Sequence, residues 1–270
     1  MANQLVKPNN LVQTIERANA ILDILAQNPQ GYSIKAISEA ISLPKGTTHR
    51  LVSSLAYFGY VRQDLRTRDY YLGFKLVELG NLLLGQLDLR REAEPFLQEL
   101  ASRLGETVHL VVLDGREIVY IDKKETDRQK SGLRMASRIG LRNPLHSCAV
   151  GKVISAFMPE GTLAALLKDY RFLKRTANTI GDAAAFREHL RQVRACGYAI
   201  DEEENEKGIR CVAAPIFNEA GQVVAAVSIS GPSFQVTRKI VEESYSREVM
   251  AVAQEISGRL GYQARAWIPA

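Results

Sequence analysis

Six consecutive residues, Lys45, Gly46, Thr47, Thr48, His49 and Arg50, follow directly on Pro44 and combine two fixed cations, two hydroxyls, an imidazole and a glycine. Lysine and arginine can reach phosphates or guanine edges, and threonine and histidine can contact phosphates or bases. Gly46 leaves room for close backbone approach, although it weakens a helix by ~1 kcal/mol relative to alanine. The stretch then turns apolar, with Leu51, Leu55 and Phe58 at helical spacing. A helix dressed in this way can send its polar half into a major groove while the apolar half anchors to its own domain. Arg66 and Arg68 lie in a later polar tip, where a wing would touch DNA backbone or minor groove. With Ser33 at the start of the preceding helix, these residues form the candidate DNA-binding set.

A second constellation suits a small ligand. The run His146-Ser-Cys-Ala-Val-Gly-Lys152 opens a helix with small residues, and free N–H groups at a helix start suit a carboxylate or phosphate. Ser228 and Ser230 alternate with apolar residues and project from one face of a strand. Asp201 precedes a run of acids, and Cys211 interrupts an apolar strand. Together these groups could hold a small hydroxylated acid. Asp201 would repel a bare carboxylate, so it should accept from a ligand hydroxyl or lie at the far end of the pocket. Catalysis finds little support: GxSxG, HExxH, GxGxxG and P-loop patterns are missing, and His49, His109, His146 and His189 have no metal-ligand spacing. No metal or cofactor is expected. The rival from another class is a small-acid enzyme with Cys148 or Cys211 as nucleophile and His146 as base.

These groups need elements to position them. Residues 11–26 carry Leu11, Ile15, Ala18, Leu22 and Leu25 on one helical face, with Ile21 beside them. Asn28-Pro29-Gln30-Gly31 breaks that helix, and Ser33 can cap a second one over residues 33–41. A third runs from about Pro44 to Phe58, with its apolar positions facing the first two. Tyr60–Gln63 and Tyr70–Leu72 flank the tip Asp64–Asp69 as a β-hairpin. Residues 11–73 are therefore expected to form a winged helix-turn-helix. Residues 74–88 read as a linker helix, apolar around most of its circumference, which suits packing against a second subunit. Asp88–Leu104 follows as an amphipathic helix with Pro95 as a kink or junction. From Glu106 the pattern becomes strand, Asp-Gly turn and strand, with further strands at 133–137, 198–201, 208–217 and 223–230. Helices are expected at about 147–157, 160–168, 182–196 and 236–260. Residues 89–262 thus read as an α+β sheet domain.

Bulk composition agrees with a two-domain globular chain: 270 residues, 46% hydrophobic and 24% charged. The formal charge of +5 is mild, and residues 1–72 hold eight Lys/Arg against five Asp/Glu. Three cysteines without CxxC spacing point to a reducing compartment. Residues 1–10 have no apolar core of signal-peptide length, and the apolar run at 79–87 is too short for a bilayer, which needs ~20 residues. A cytoplasmic protein without membrane attachment is expected.

The motifs LRMASRIG (133–140), NPLHSCAVGKVI (143–154), GIRCVAAPIF (208–217) and VSISGP (227–232), in that order behind a winged helix, resemble the IclR family of bacterial transcriptional regulators. RMASRIGLRNPLHS and ENEKGIRC are similar to repressors of 2-keto-3-deoxygluconate metabolism. The resemblance implies a GAF-like effector-binding domain, a homodimer or tetramer, double-stranded operator DNA and a small organic acid effector. It also implies a pocket with Met135 as wall, the Ala149 and Val150 amides for a carboxylate, and Asp201, Cys211, Ser228 and Ser230 around the rest. Glyoxylate- and pyruvate-responsive members carry Gly-Ala where this chain has Ala149-Val150, so its pocket is reshaped. A repressor is the leading expectation and an activator with the same parts the alternative.

Overall fold

The computed structural model describes residues 10–85, 88–126 and 135–263. The chain divides into two compact units between Leu87 and Asp88. In the first, α1 (Gln13–Gln27), α2 (Ile34–Ala40) and α3 (Lys45–Tyr57) pack with the hairpin β1 (Val61–Gln63) and β2 (Tyr70–Leu72), and α4 (Lys75–Gly85) follows. The hairpin registers Val61 against Leu72, and Tyr32 forms an extra bridge to Tyr70. Ile21, Leu25, Ile37, Val52, Val61 and Tyr70 make the core. Gly31 has a φ of +83°, and a Cβ there would lie 2.5 Å from the Tyr71 ring, so only glycine fits beneath that aromatic.

Two expected faces shift. On α1 only the C-terminal half is buried: Ile21 and Leu25 face the core, while Leu11 and Ile15 are 39% and 64% exposed. On α3 the inward residue is Val52, fully buried, and Phe58 is 63% exposed. Leu51 and Leu55 pack half-buried against that core as the spacing predicts, while Phe58 does not, and Val52, one position on from Leu51, is the most deeply buried apolar residue of the helix. Burying a valine fully is worth about 1.5 kcal/mol or more.

The second unit starts with α5 (Asp88–Leu104), continuous through Pro95. Its six-stranded sheet has the order β5-β4-β3-β8-β7-β6, antiparallel throughout. The strands are β3 (Thr107–Asp114), β4 (Glu117–Lys124), β5 (Arg142–Pro144), β6 (Ala199–Glu202), β7 (Ile209–Phe217) and β8 (Val223–Pro232). A 3-10 turn (Leu145–Ser147) leads into α6 (Ala149–Phe157), followed by α7 (Glu160–Leu167) and α8 (Ala183–Cys196). The chain closes with α9 (Arg238–Ile240), a π turn (Val241–Tyr245) and α10 (Ser246–Arg259), which run on without a break as the expected long helix carrying one π bulge.

Period-two alternation divides the sheet between two layers. Val111, Ala213 and Ala226 join the core built by α6, α7 and α8. On the other face β3 and β7 meet α5 and α10. The strand expected at 133–137 is not found where it is described: Leu133 and Arg134 lie outside the described residues, and Met135–Ser137 is not strand. Side chains hold this segment instead. The Lys123 Nζ donates to the Ser137 carbonyl at 2.7 Å, and His109 Nε2 lies 2.9 Å from Ser137 Oγ. The edge position beside β4 belongs to Arg142–Pro144.

Candidate DNA-contacting surface and ligand cavity

The α2–α3 turn is braced locally. Ser42 takes a left-handed φ of +52°, while Leu43 and Ser38 exchange hydrogen bonds in both directions: Leu43 N–H to the Ser38 carbonyl at 3.1 Å, and Ser38 Oγ to the Leu43 carbonyl at 2.6 Å. Ser33 is exposed and caps α2 by accepting from the Ala36 N–H at 3.2 Å. This bracing presents the start of α3. Lys45, Gly46, His49 and Arg50 are exposed and Thr47 is half-buried.

Thr48 departs from expectation. It is fully buried, and its hydroxyl donates to the Pro44 carbonyl at 3.2 Å. Thr48 lies one turn before Val52, so it shares the inward stripe; its methyl meets the core while the carbonyl four residues back satisfies its hydroxyl. Thr48 is therefore not available to DNA.

The wing tip is shaped by Asp64, whose Oδ1 accepts from the amides of Arg66 (2.8 Å) and Thr67 (3.0 Å). Those amides, Thr67 first, hold its carboxyl below the usual aspartate range. Arg68 has a φ of +65°, and its carbonyl accepts from Gln63 Nε2 at 2.9 Å. Arg66 and Arg68 both stand exposed. A further wing cation that sequence reasoning did not single out, Arg62, lies 4.7 Å above the Tyr71 ring.

In the second unit a cavity of about 260 Å³ opens between the sheet and the start of α6. Met135, Ala149, Val150, Asp201, Cys211, Ser228 and Ser230 all line it. Strand register explains the convergence. Ser230 pairs with Cys211, which pairs with Asp201, forming one row across three strands. Ser228 pairs with His109 in the next row. Gly151 lets the preceding turn press against α6, since a Cβ there would lie 2.3 Å from the Leu145 carbonyl oxygen. The α6 start is thereby seated at the cavity, where its first amides lack intrahelical partners and favour negative charge.

The cavity also takes in His109, Tyr120, Asn143, Arg175 and Asn205, none of them assigned a ligand role from sequence. For His109 a signal existed: it is a polar residue in the apolar run Val108–Val112. Burial, reinforced by Lys123, holds its imidazole down to about 3, so the ring is neutral at physiological pH. Its Nδ1 lies 3.4 Å from Ser230 Oγ and 3.5 Å from Ser228 Oγ. Asp201 is 2% exposed, and its Oδ1 accepts from the amides of Glu204 (2.7 Å) and Asn205 (3.3 Å). Burial pushes its carboxyl up to about 7, against the opposing pull of Lys152 and the two amides. Near neutrality Asp201 can therefore donate or accept, which softens the repulsion expected toward a ligand carboxylate.

The cysteines do not behave as nucleophiles. Burial pushes the Cys148 thiol up to about 12 and raises Cys211 well above its ordinary value, whereas attack requires the thiolate. Cys148 Sγ donates to the Pro144 carbonyl at 3.1 Å. Both His146 ring nitrogens are engaged elsewhere, with Tyr170 Oη at 3.0 Å and the Leu173 carbonyl at 3.1 Å. Among the described residues no group of three or more His, Cys, Asp or Glu could hold a metal, and no helix is long and apolar enough to cross a membrane.

A winged helix with an exposed cationic helix start, joined in one chain to a sheet domain with a polar cavity, defines a DNA-binding regulator rather than an enzyme. Residues 14–65 match the IclR helix-turn-helix domain, and residues 82–258 match the C-terminal domain of bacterial IclR transcriptional regulators. The chain belongs to the IclR family of transcriptional regulators. It is 39% identical to the Escherichia coli regulator XynR, over 94% of this chain and 99% of that protein. It is 36% identical to E. coli KdgR, over 97% and 98% respectively. A transcriptional repressor, AllR of Klebsiella pneumoniae, is 33% identical over 94% of this chain and 92% of its own. The crystal structure of the Thermotoga maritima IclR aligns with a TM-score of 0.78 at 39% identity, covering 92% of this chain and 99% of that one.

Proposed function

We propose that this regulator is a repressor whose grip on its operator is set by a small organic acid, of sugar-acid or keto-acid type, bound in the second unit. The observation that carries the reading is the meeting of Met135, Ala149, Val150, Asp201, Cys211, Ser228 and Ser230 around one cavity of about 260 Å³. The α6 amides take the carboxylate, and His109, Ser228, Ser230 and Asp201 take hydroxyl or carbonyl oxygens. DNA contacts come from Ser33, Lys45, Gly46, Thr47, His49 and Arg50, with Arg66 and Arg68 on the wing. The working assembly is a dimer or tetramer in the cytoplasm, with paired recognition helices on half-sites ~34 Å apart. A 100-fold change in operator affinity requires the acid to bind the two states differently by about 2.7 kcal/mol.

A thermal-shift screen of sugar acids, keto acids and aromatic acids tests this. A true effector at ~100 times its dissociation constant adds about 2.7 kcal/mol of stability, and the same compound should release operator DNA. If no acid raises the melting temperature of a DNA-binding preparation, the effector reading fails.

A further inference from the structure

A fully buried cation stands behind the groups that hold Asp201. Lys152, in the first turn of α6, has no exposed side-chain surface and is not among the residues lining the cavity. Its Nζ donates to Glu204 Oε1 at 2.5 Å and to the Ile200 carbonyl. Glu204 in turn gives its amide N–H to Asp201 Oδ1 at 2.7 Å. The same turn is pinned from outside, where Thr179 Oγ1 donates to the Glu204 carbonyl at 2.7 Å and Thr176 Oγ1 to the Glu203 carbonyl at 2.7 Å. Removing an ammonium from water is costly unless a counter-charge and hydrogen bonds compensate it. Here Glu204 supplies the counter-charge and the Ile200 carbonyl a second acceptor. Asp201, clamped by the Glu204 amide, lies within the field of this pair, the lysine pulling its carboxyl down and the Glu204 carboxylate pushing it up.

We propose that Lys152 is a positioning residue of the ligand cavity: through Glu204 it sets the turn whose amides clamp one oxygen of Asp201, and it supplies the cation that balances that carboxyl. The ligand-facing sense of this proposal rests on the effector reading above. The charged groups acting on Asp201 are Lys152 on α6 and Glu204 on the adjoining turn, and Asp201 in turn raises the neutral Cys148 at the start of α6, Cys211 on β7 and Tyr120 on β4 that face it. A lysine that only filled space would leave the titration of Asp201 where it is.

The test uses the full chain without ligand, labelled with ¹³C-carboxyl aspartate and titrated by NMR, the Asp201 signal being assigned by its loss in Asp201→Asn. Lys152→Met should move the Asp201 midpoint up by about one pH unit or more. Lys152→Arg should return it toward the wild-type position. Glu204→Gln, which keeps the side-chain shape but removes a negative neighbour, should move it down. If Lys152→Met does not fold, Lys152→Gln is titrated in its place, with the same upward shift expected. An unchanged midpoint in the folded variants, or an upward move in Glu204→Gln, overturns the proposal. Because no acid is added, this result is independent of whether the effector reading survives.

Discussion

Gly46 occupies the first turn of α3, and an added Cβ would meet nothing within 4 Å. Alanine there should stabilise the first unit by up to ~1 kcal/mol through helix propensity alone. If DNA backbone comes close at this point, the same methyl should weaken binding. The expected outcome for Gly46→Ala is thus a higher melting temperature with lower affinity in fluorescence anisotropy; a gain in both would remove Gly46 from the interface. Residue types single out this helix start as the candidate DNA-facing end, and Lys45, His49 and Arg50 are exposed, as that reading requires. Thr48 was misread because threonine is ambivalent: its hydroxyl suits a phosphate, but four residues before Val52 its methyl suits the core. Composition alone does not distinguish these uses; the phase of the helix does.

At the scale of elements, α4 stands out. Val77, Leu82 and Leu83 are 57%, 56% and 62% exposed, and Leu11, Val12 and Ile15 near the start of α1 add further apolar surface in the same unit. Exposed apolar side chains gathered on one helix are what a subunit contact would cover. Replacing Leu82 and Leu83 together by glutamate should shift the chain toward monomer in sedimentation velocity and weaken operator binding through lost pairing of recognition helices. Unchanged assembly would place the subunit contact elsewhere. The β3–β4 hairpin and the β7–β8 pair were readable from alternation and turn residues. The segment around Met135 was not, because it is held by the side chains of His109 and Lys123 rather than by a ladder. Its neighbour β5 is only three residues long and includes Pro144, which leaves no strand signature to read. The cavity was only partly legible for a similar reason: motifs supplied seven positions, but Arg175 and Asn205 come from loops, and only the fold brings them to the site.

For the molecule as a whole, Asp201 couples the cavity to pH. An unfolded aspartate has its ordinary value of 3.8, whereas burial raises the folded carboxyl to about 7. Between these pH values the folded chain keeps a proton that the unfolded chain has released. Stability from this group therefore falls as pH rises from about 4 to about 7 and then levels off. Asp201→Asn lacks this dependence, so urea unfolding followed by circular dichroism should show the variant gaining on wild type across that window, by on the order of 4 kcal/mol at most. A constant difference between the two chains would mean that Asp201 is not held protonated. The division of labour between the units meets its most direct test in DNA binding itself. Wild-type and Arg50→Ala chains should be titrated, across a range of salt, onto a duplex selected from a random pool by the wild type. Expected is a wild-type affinity that falls by roughly three orders of magnitude or more between 50 and 200 mM salt, with Arg50→Ala weaker throughout and unaltered in any acid-induced thermal shift. Wild-type binding that ignores salt, or an Arg50→Ala chain that binds DNA as tightly as its parent, would contradict a DNA-reading α3.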